Sequence, residues 1–210
     1  REPARVLRPI ALARSEALPR AERLLCDGIE AAAQLHAGNA GQALRAATTA
    51  LENMLESAPT MGIALLSVAS VAEVHLALAQ GPAQAHVPLR TRLQPSRVAC
   101  RAAAGYASKI VIFKARERLL RGHLALALGR PARAAACWRQ GIDHAVRFAL
   151  PFEEALCHLA LAGVEASPDK RSEHLRLGTQ IMDRLGAKPW KLAALPAAPW
   201  NPSHNIEEPA

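Results

Sequence analysis

Residues 116–149 read RERLLRGHLALALGRPARAAACWRQGIDHAVRFA, and this stretch decides the fold. Gly122 and Ala125 are small residues in a helical run, Gly129-Arg130-Pro131 breaks it, and Ala134, Trp138 and Gly141 recur at helical spacing beyond the break. The order is helix, tight turn, helix, with small side chains where two helices must touch. Such a unit cannot bury its apolar face alone and stacks on neighbouring units. Pro131 suits a first helical turn, where its missing N–H costs nothing. Trp138 is the expected anchor of the pair, among an inner face of Ala134, Gly141, Ile142, Ala145 and Ala149.

Outward from this pair the same grammar continues in both directions. On the C-terminal side, 152–164 and 168–185 form a second pair, with Ser167 as N-cap, Pro168 in the first turn and Asp169 at the positive helix end. Leu175, Gly178, Ile181, Met182 and Leu185 make its inner stripe, and Gly186 ends it. On the N-terminal side, 20–36 carries Leu24, Leu25, Ile29, Ala32 and Leu35 at a helical period, stopped by Gly38-Asn39. A helix over 41–57 follows, with Ala43, Leu44, Ala47, Leu51, Met54 and Leu55 as its buried stripe and Pro59 beyond it. A longer helix over 60–80 closes at Gly81-Pro82. Pro88 and Pro95 then interrupt the pattern, so 82–95 is a candidate break in the array before a helix over 96–108. The apolar link Ile110–Phe113 has no strand partner and reads as a packed connector.

Composition fits this all-α reading. Half of the 210 residues are hydrophobic, mostly Ala and Leu, which favours helix over sheet. The expected division is an N-terminal segment over 1–19 that ends an upstream helix pair, a helical repeat domain over 20–187, and a Pro-rich tail or linker over 188–210. A chain that starts at Arg1 with no leader is expected to be a piece of a longer polypeptide. No apolar run reaches the length of a membrane span. The formal charge is +8, carried mainly by Arg spread over every expected helix and interleaved with acids, which reads as a mildly basic solvated surface. With seven aromatic residues, base-stacking platforms are scarce, which speaks against nucleic acid as a partner. Cys26, Cys100, Cys137 and Cys157 lack metal or redox spacing and read as buried thiols in a reducing cytoplasm.

No catalytic constellation emerges, nor any cofactor or metal site. There is no His-Glu-x-x-His, no phosphate-binding loop and no glycine-bracketed serine. Glu154 and His158 share a helix face but lack further ligands, and read as an interface pair. His123, Cys137 and Trp138 read as packing. The sharper candidate is a groove that grips a peptide or another domain, built from Arg116, Arg139, Arg147 and their neighbours.

The runs Tyr106-Ala107, Lys114-Ala115-Arg116, Gly122-His123-Leu124-Ala125, Gly129 through Ala134, Trp138-Arg139 and Phe152 through Ala155, with Pro168 through Arg171 and Leu185-Gly186-Ala187, resemble the carboxy-terminal tetratricopeptide-like array of large multidomain signalling ATPases. The resemblance covers 106–187 best. It implies a regulatory or protein-interaction segment beside a nucleotide-binding switch, of the type joined to a class III adenylate or guanylate cyclase. None of that family's metal-binding carboxylates or its phosphate loop has a matching position here. The resemblance also leaves open a transcription activator whose array binds a small-molecule inducer.

Overall fold

In the computed structural model, which describes residues 4–13, 18–56, 64–81 and 86–187, every regular element is helical. The order is α1 (Ala4–Ala13), α2 (Arg20–His36), α3 (Ala40–Glu56), α4 (Ala64–Gln80), the single turn α5 (Leu89–Arg92), α6 (Gln94–Lys109), a 3₁₀ turn (Val111–Phe113), α7 (Lys114–Ala127), α8 (Pro131–Arg147), α9 (Pro151–Ala162) and α10 (Pro168–Arg184). Four antiparallel pairs follow one another, α2 with α3, α4 with α6, α7 with α8 and α9 with α10. Each first helix also lies on the first helix of the next pair, α2 on α4, α4 on α7 and α7 on α9. Each second helix reaches forward to the next first helix, so the chain builds a two-layered stack of helix pairs. α1 packs on α2. The all-α helix-pair array expected from the sequence is what the chain forms. The expected tail, 188–210, together with Pro59, Pro82 and residues 60–63, lies outside the described residues.

Close approach of the helices is set by glycines at the crossings. A Cβ at Gly122 of α7 would overlap the Trp138 indole of α8. A Cβ at Gly141 of α8 would stand 2.6 Å from the Cys157 sulfur of α9, and one at Gly178 of α10 would stand 2.8 Å from Leu159 Cγ of α9. At the other end of the array, Gly28 of α2 lies against Ser67 of α4, where a Cβ would be 2.5 Å from the serine Cβ. That contact lets the Ser67 hydroxyl donate to the Leu25 carbonyl at 3.0 Å. Trp138, 1% exposed, donates its indole N–H to the Leu119 carbonyl at 3.1 Å. The indole therefore fills the space that Gly122 vacates and satisfies its own polar atom there.

Four helices end in the same way. In α2, α7, α8 and α10 the last turn closes with paired backbone bonds of the Schellman kind, for example Gly129 N–H to Leu126 C=O and Arg130 N–H to Ala125 C=O. The residue that must adopt positive φ is Gly38, Gly129 and Gly186 in three of them, but Ala149, at φ 51°, in α8. Ala149 is therefore an exposed turn residue, not part of the inner face of α8 assigned to it from the sequence. Leu55, Leu175 and Leu185 are likewise corrected, being 58%, 47% and 44% exposed. Each lies at or beyond the edge of the buried stripe, where alternation of Leu with polar residues gives an ambiguous helical phase.

Pro95 begins α6 instead of interrupting it, since it falls in that helix's first turn. Ser167 occupies the N-cap position of α10 with extended backbone, but its side chain makes no capping bond. The turn is held from Arg171, whose guanidinium donates twice to the Glu165 carbonyl at 2.9 and 3.1 Å. The 110–113 link is the packed connector expected, with Phe113 buried and Val111 and Ile112 exposed.

Two main cores result. One runs from Leu24 through Met54, Val71, Leu76 and Leu93 to Tyr106, Phe113 and Leu120. The other joins Leu119, Ala125 and Trp138 to Leu156, Cys157, Leu161, Ile181 and Met182. The two meet on α7, whose adjacent residues Leu119 and Leu120 belong to different cores.

Candidate functional site

A concavity lies between α2 and α3. Arg23, Asp27, Glu30 and Gln34 recur at helical spacing along one face of α2, and Gln42, Arg45, Thr49 and Asn53 along one face of α3. Antiparallel packing sets these rows side by side, enclosing about 790 Å³. Asn53 Nδ2 donates to Asp27 Oδ2 at 3.0 Å across the groove. Arg23 is tied at one end to the Leu18 carbonyl at 3.0 Å, and Gln34 at the other accepts from Asn39 at 2.9 Å. Two guanidinium groups, two carboxylates and several amides and hydroxyls thus line a groove of balanced charge. Sequence reading missed it because attention to the apolar stripe leaves the polar stripe unread. The signal was there as a second period, on α2 at 23, 27, 30 and 34.

The arginines singled out from the sequence do not converge. Arg116 is an interior residue with its side chain 14% exposed, and its guanidinium meets Glu73 of α4 at 2.7 Å. It also lies 5.9 Å from the Phe152 ring centroid of α9, so this one side chain of α7 reaches the first helices of both neighbouring pairs, α4 and α9. Arg139 is exposed and pairs loosely with Glu165 at 3.4 Å. Arg147 is exposed and lies over Phe148 at 5.5 Å. The residues read as interface do come together. Gly122, Ala125, Ala134, Trp138 and Gly141 are at the α7–α8 seam, and Gly129 makes its turn.

Buried ionisable groups follow desolvation. Burial raises the Glu73 carboxyl above its ordinary range, outweighing the opposing pull of Arg116. His123 packs edge-on against Trp138, ring centroids 5.4 Å apart. Burial first and the Arg116 charge second push it down to about 4. Burial lowers His75 as well, and pushes the Cys100 and Cys157 thiols up to about 12. Those thiols remain protonated and unreactive.

His158 of α9 is buried and faces His174 of α10, Nδ1 to Nδ1 at 2.9 Å. Ring centroids only 5.1 Å apart mean that the nitrogens meet nearly end to end. One ring donates and the other accepts. An ion held by both would need about 2 Å to each nitrogen, and a nearly linear pair at this distance has no room for one. Among the described residues no group of three or more His, Cys, Asp or Glu is placed to hold a metal ion. No described helix is long and apolar enough to cross a membrane. No family model, curated protein or solved structure matches the chain.

Proposed function

We propose that this chain is a regulatory, protein-binding helical repeat region of a larger ATP-dependent signalling protein, of the kind that carries a class III nucleotide cyclase domain. The observation that supports it best is the two-layered stack of helix pairs, an architecture that offers extended surface to a polypeptide partner. The resemblance of 106–187 to such arrays points the same way, and the parent type rests on that resemblance alone. The partner is another protein or another domain of the same polypeptide. Two measurements test the reading. The open reading frame on either side of Arg1 and Ala210 is expected to encode a phosphate-binding loop and a cyclase domain upstream. Those upstream domains, expressed separately, are expected to bind this chain in trans. A frame without them, or no binding, overturns the proposal.

One observation favours a second reading, an inducer-sensing array of a transcription activator. The α2–α3 groove has the volume of a small-molecule site and a lining of paired charges and amides. A downstream DNA-binding domain in the reading frame would support it. So would a ligand whose affinity falls with Asp27→Asn or Arg45→Gln.

A further inference from the structure

The positive charge of this chain is not scattered. Between Leu89 and Arg147 fall thirteen of the 26 Lys and Arg but only two of the 18 Asp and Glu, a net of +11. The remaining thirteen basic and sixteen acidic residues leave the rest of the chain at −3. The interleaving of signs expected from the sequence therefore holds outside α5–α8 and fails within them.

Within that region the α7–α8 seam gathers several of these charges. The charges of Arg118 and Arg121 of α7 and Arg133 of α8 all act on the Cys137 thiol, with Glu117 opposing them and burial outweighing them all. Arg133 and Cys137 are four residues apart and so share a face of α8. Glu117 is buried and meets Arg121 Nε at 2.8 Å and Arg118 Nε at 3.5 Å. The inner carboxylate thus forms its close ion pair with Arg121, while Arg118 Nε, buried, makes no hydrogen bond; the Arg121 and Arg118 side chains remain 40% and 29% exposed. A guanidinium's terminal nitrogens suit a carboxylate or phosphate fork. Arg130 and Arg133 crowd the first turn of α8, which has no acidic residue and no side-chain cap. Cations there oppose the helix dipole, an arrangement that an incoming anion relieves.

We propose that the arginines of the α7–α8 seam, Arg118, Arg121 and Arg133, form a docking surface for an acidic polypeptide segment. This names the partner class for the protein-binding reading and rests on it. Charge complementarity selects an anionic occupant. Protein is favoured over nucleic acid because the three aromatics of this region, Tyr106, Phe113 and Trp138, are all buried and offer no face for base stacking.

The test uses the full 210-residue chain and the fluorescence anisotropy of a short labelled peptide of alternating Asp and Glu, beside duplex DNA of matched charge. Expected are tighter binding of the peptide than of the DNA at equal salt, and weakening as salt rises. Arg121→Gln with Arg133→Gln should lose roughly tenfold or more in affinity. Arg8→Gln with Arg184→Gln, which removes equal charge from exposed sites elsewhere, should lose far less. Arg133→Gln alone leaves both Glu117 pairs intact and should show part of the loss without disturbing the fold, with thermal melting as the check. Equal losses in both pairs, no loss in the seam pair, or tighter binding of DNA would overturn the proposal. If the upstream domains still bind this chain in trans while the seam variants are silent, the protein-binding reading survives and this surface does not. If neither peptide nor upstream domains bind, both fall.

Discussion

Gly122 and Trp138 show how much a single position can carry. The indole occupies the volume a Cβ at 122 would need, so Gly122→Ala is expected to cost about 1–3 kcal/mol by overpacking. In a chain of this size that is a fall of about 2–4 °C in melting temperature for each kcal/mol. Trp138→Ala should cost more, about 3–5 kcal/mol, and an unchanged melting temperature for either variant would contradict this account of the seam. Ala149 offers the opposite case. It holds a positive φ that three other helices of the array give to glycine, and Ala149→Gly is expected to stabilise by roughly 0.5–1 kcal/mol. Denaturant melts of the two proteins would decide it. The small residues around Trp138 were readable in the sequence because helical spacing alone places them on one face. Ala149 was not, because alanine gives no hint of a left-handed turn and only the closing hydrogen bonds reveal it.

At the level of elements, histidines make the packing of α3 on α4, α7 on α8 and α9 on α10 sensitive to acid. Folded-state values of His75, His123 and His158 lie below the ordinary one. For His158 burial is the larger cause and His174 the second, with Glu173 opposing. A base whose folded value is depressed contributes stability that is present above the unfolded value of about 6.5 and is lost as pH falls toward the folded value. Stability should therefore decline below about pH 6.5, and for His123 the decline should continue to about 4, with a loss of roughly 3 kcal/mol from that group. His123→Phe, which keeps the edge contact with Trp138, should flatten the lower part of a plot of stability against pH; a curve parallel to that of the unmodified chain would refute the assignment. Helices themselves were legible to within a turn from apolar period, prolines and glycines. The partner of His158 was not, because Glu154 is its neighbour in sequence while His174 is its neighbour only once α10 folds back on α9.

For the molecule as a whole, Arg116 and Glu73 form a bridge between successive pairs. Removing one partner strands a buried charge, so Arg116→Met or Glu73→Leu should each be strongly destabilising, about 3–5 kcal/mol. Replacing both together, Glu73→Leu with Arg116→Met, should recover most of the loss, and a double-mutant cycle measures the coupling. Additive losses would show that the pair is not the link its geometry describes. The candidate groove escaped sequence reading because it is assembled from polar residues of two helices, which counting along the chain sees as solvated faces. The basic excess of α5–α8 is legible in that count, and only its gathering at the α7–α8 seam needs the fold.

Leu119 and Leu120 put α7 between the two cores, and the side chains of Arg118 and Arg121 on that same helix reach solvent in part, 29% and 40% exposed. Interiors packed to crystal-like density have no slack to take up a shift. A pull on those two arginines is therefore expected to load both cores at once.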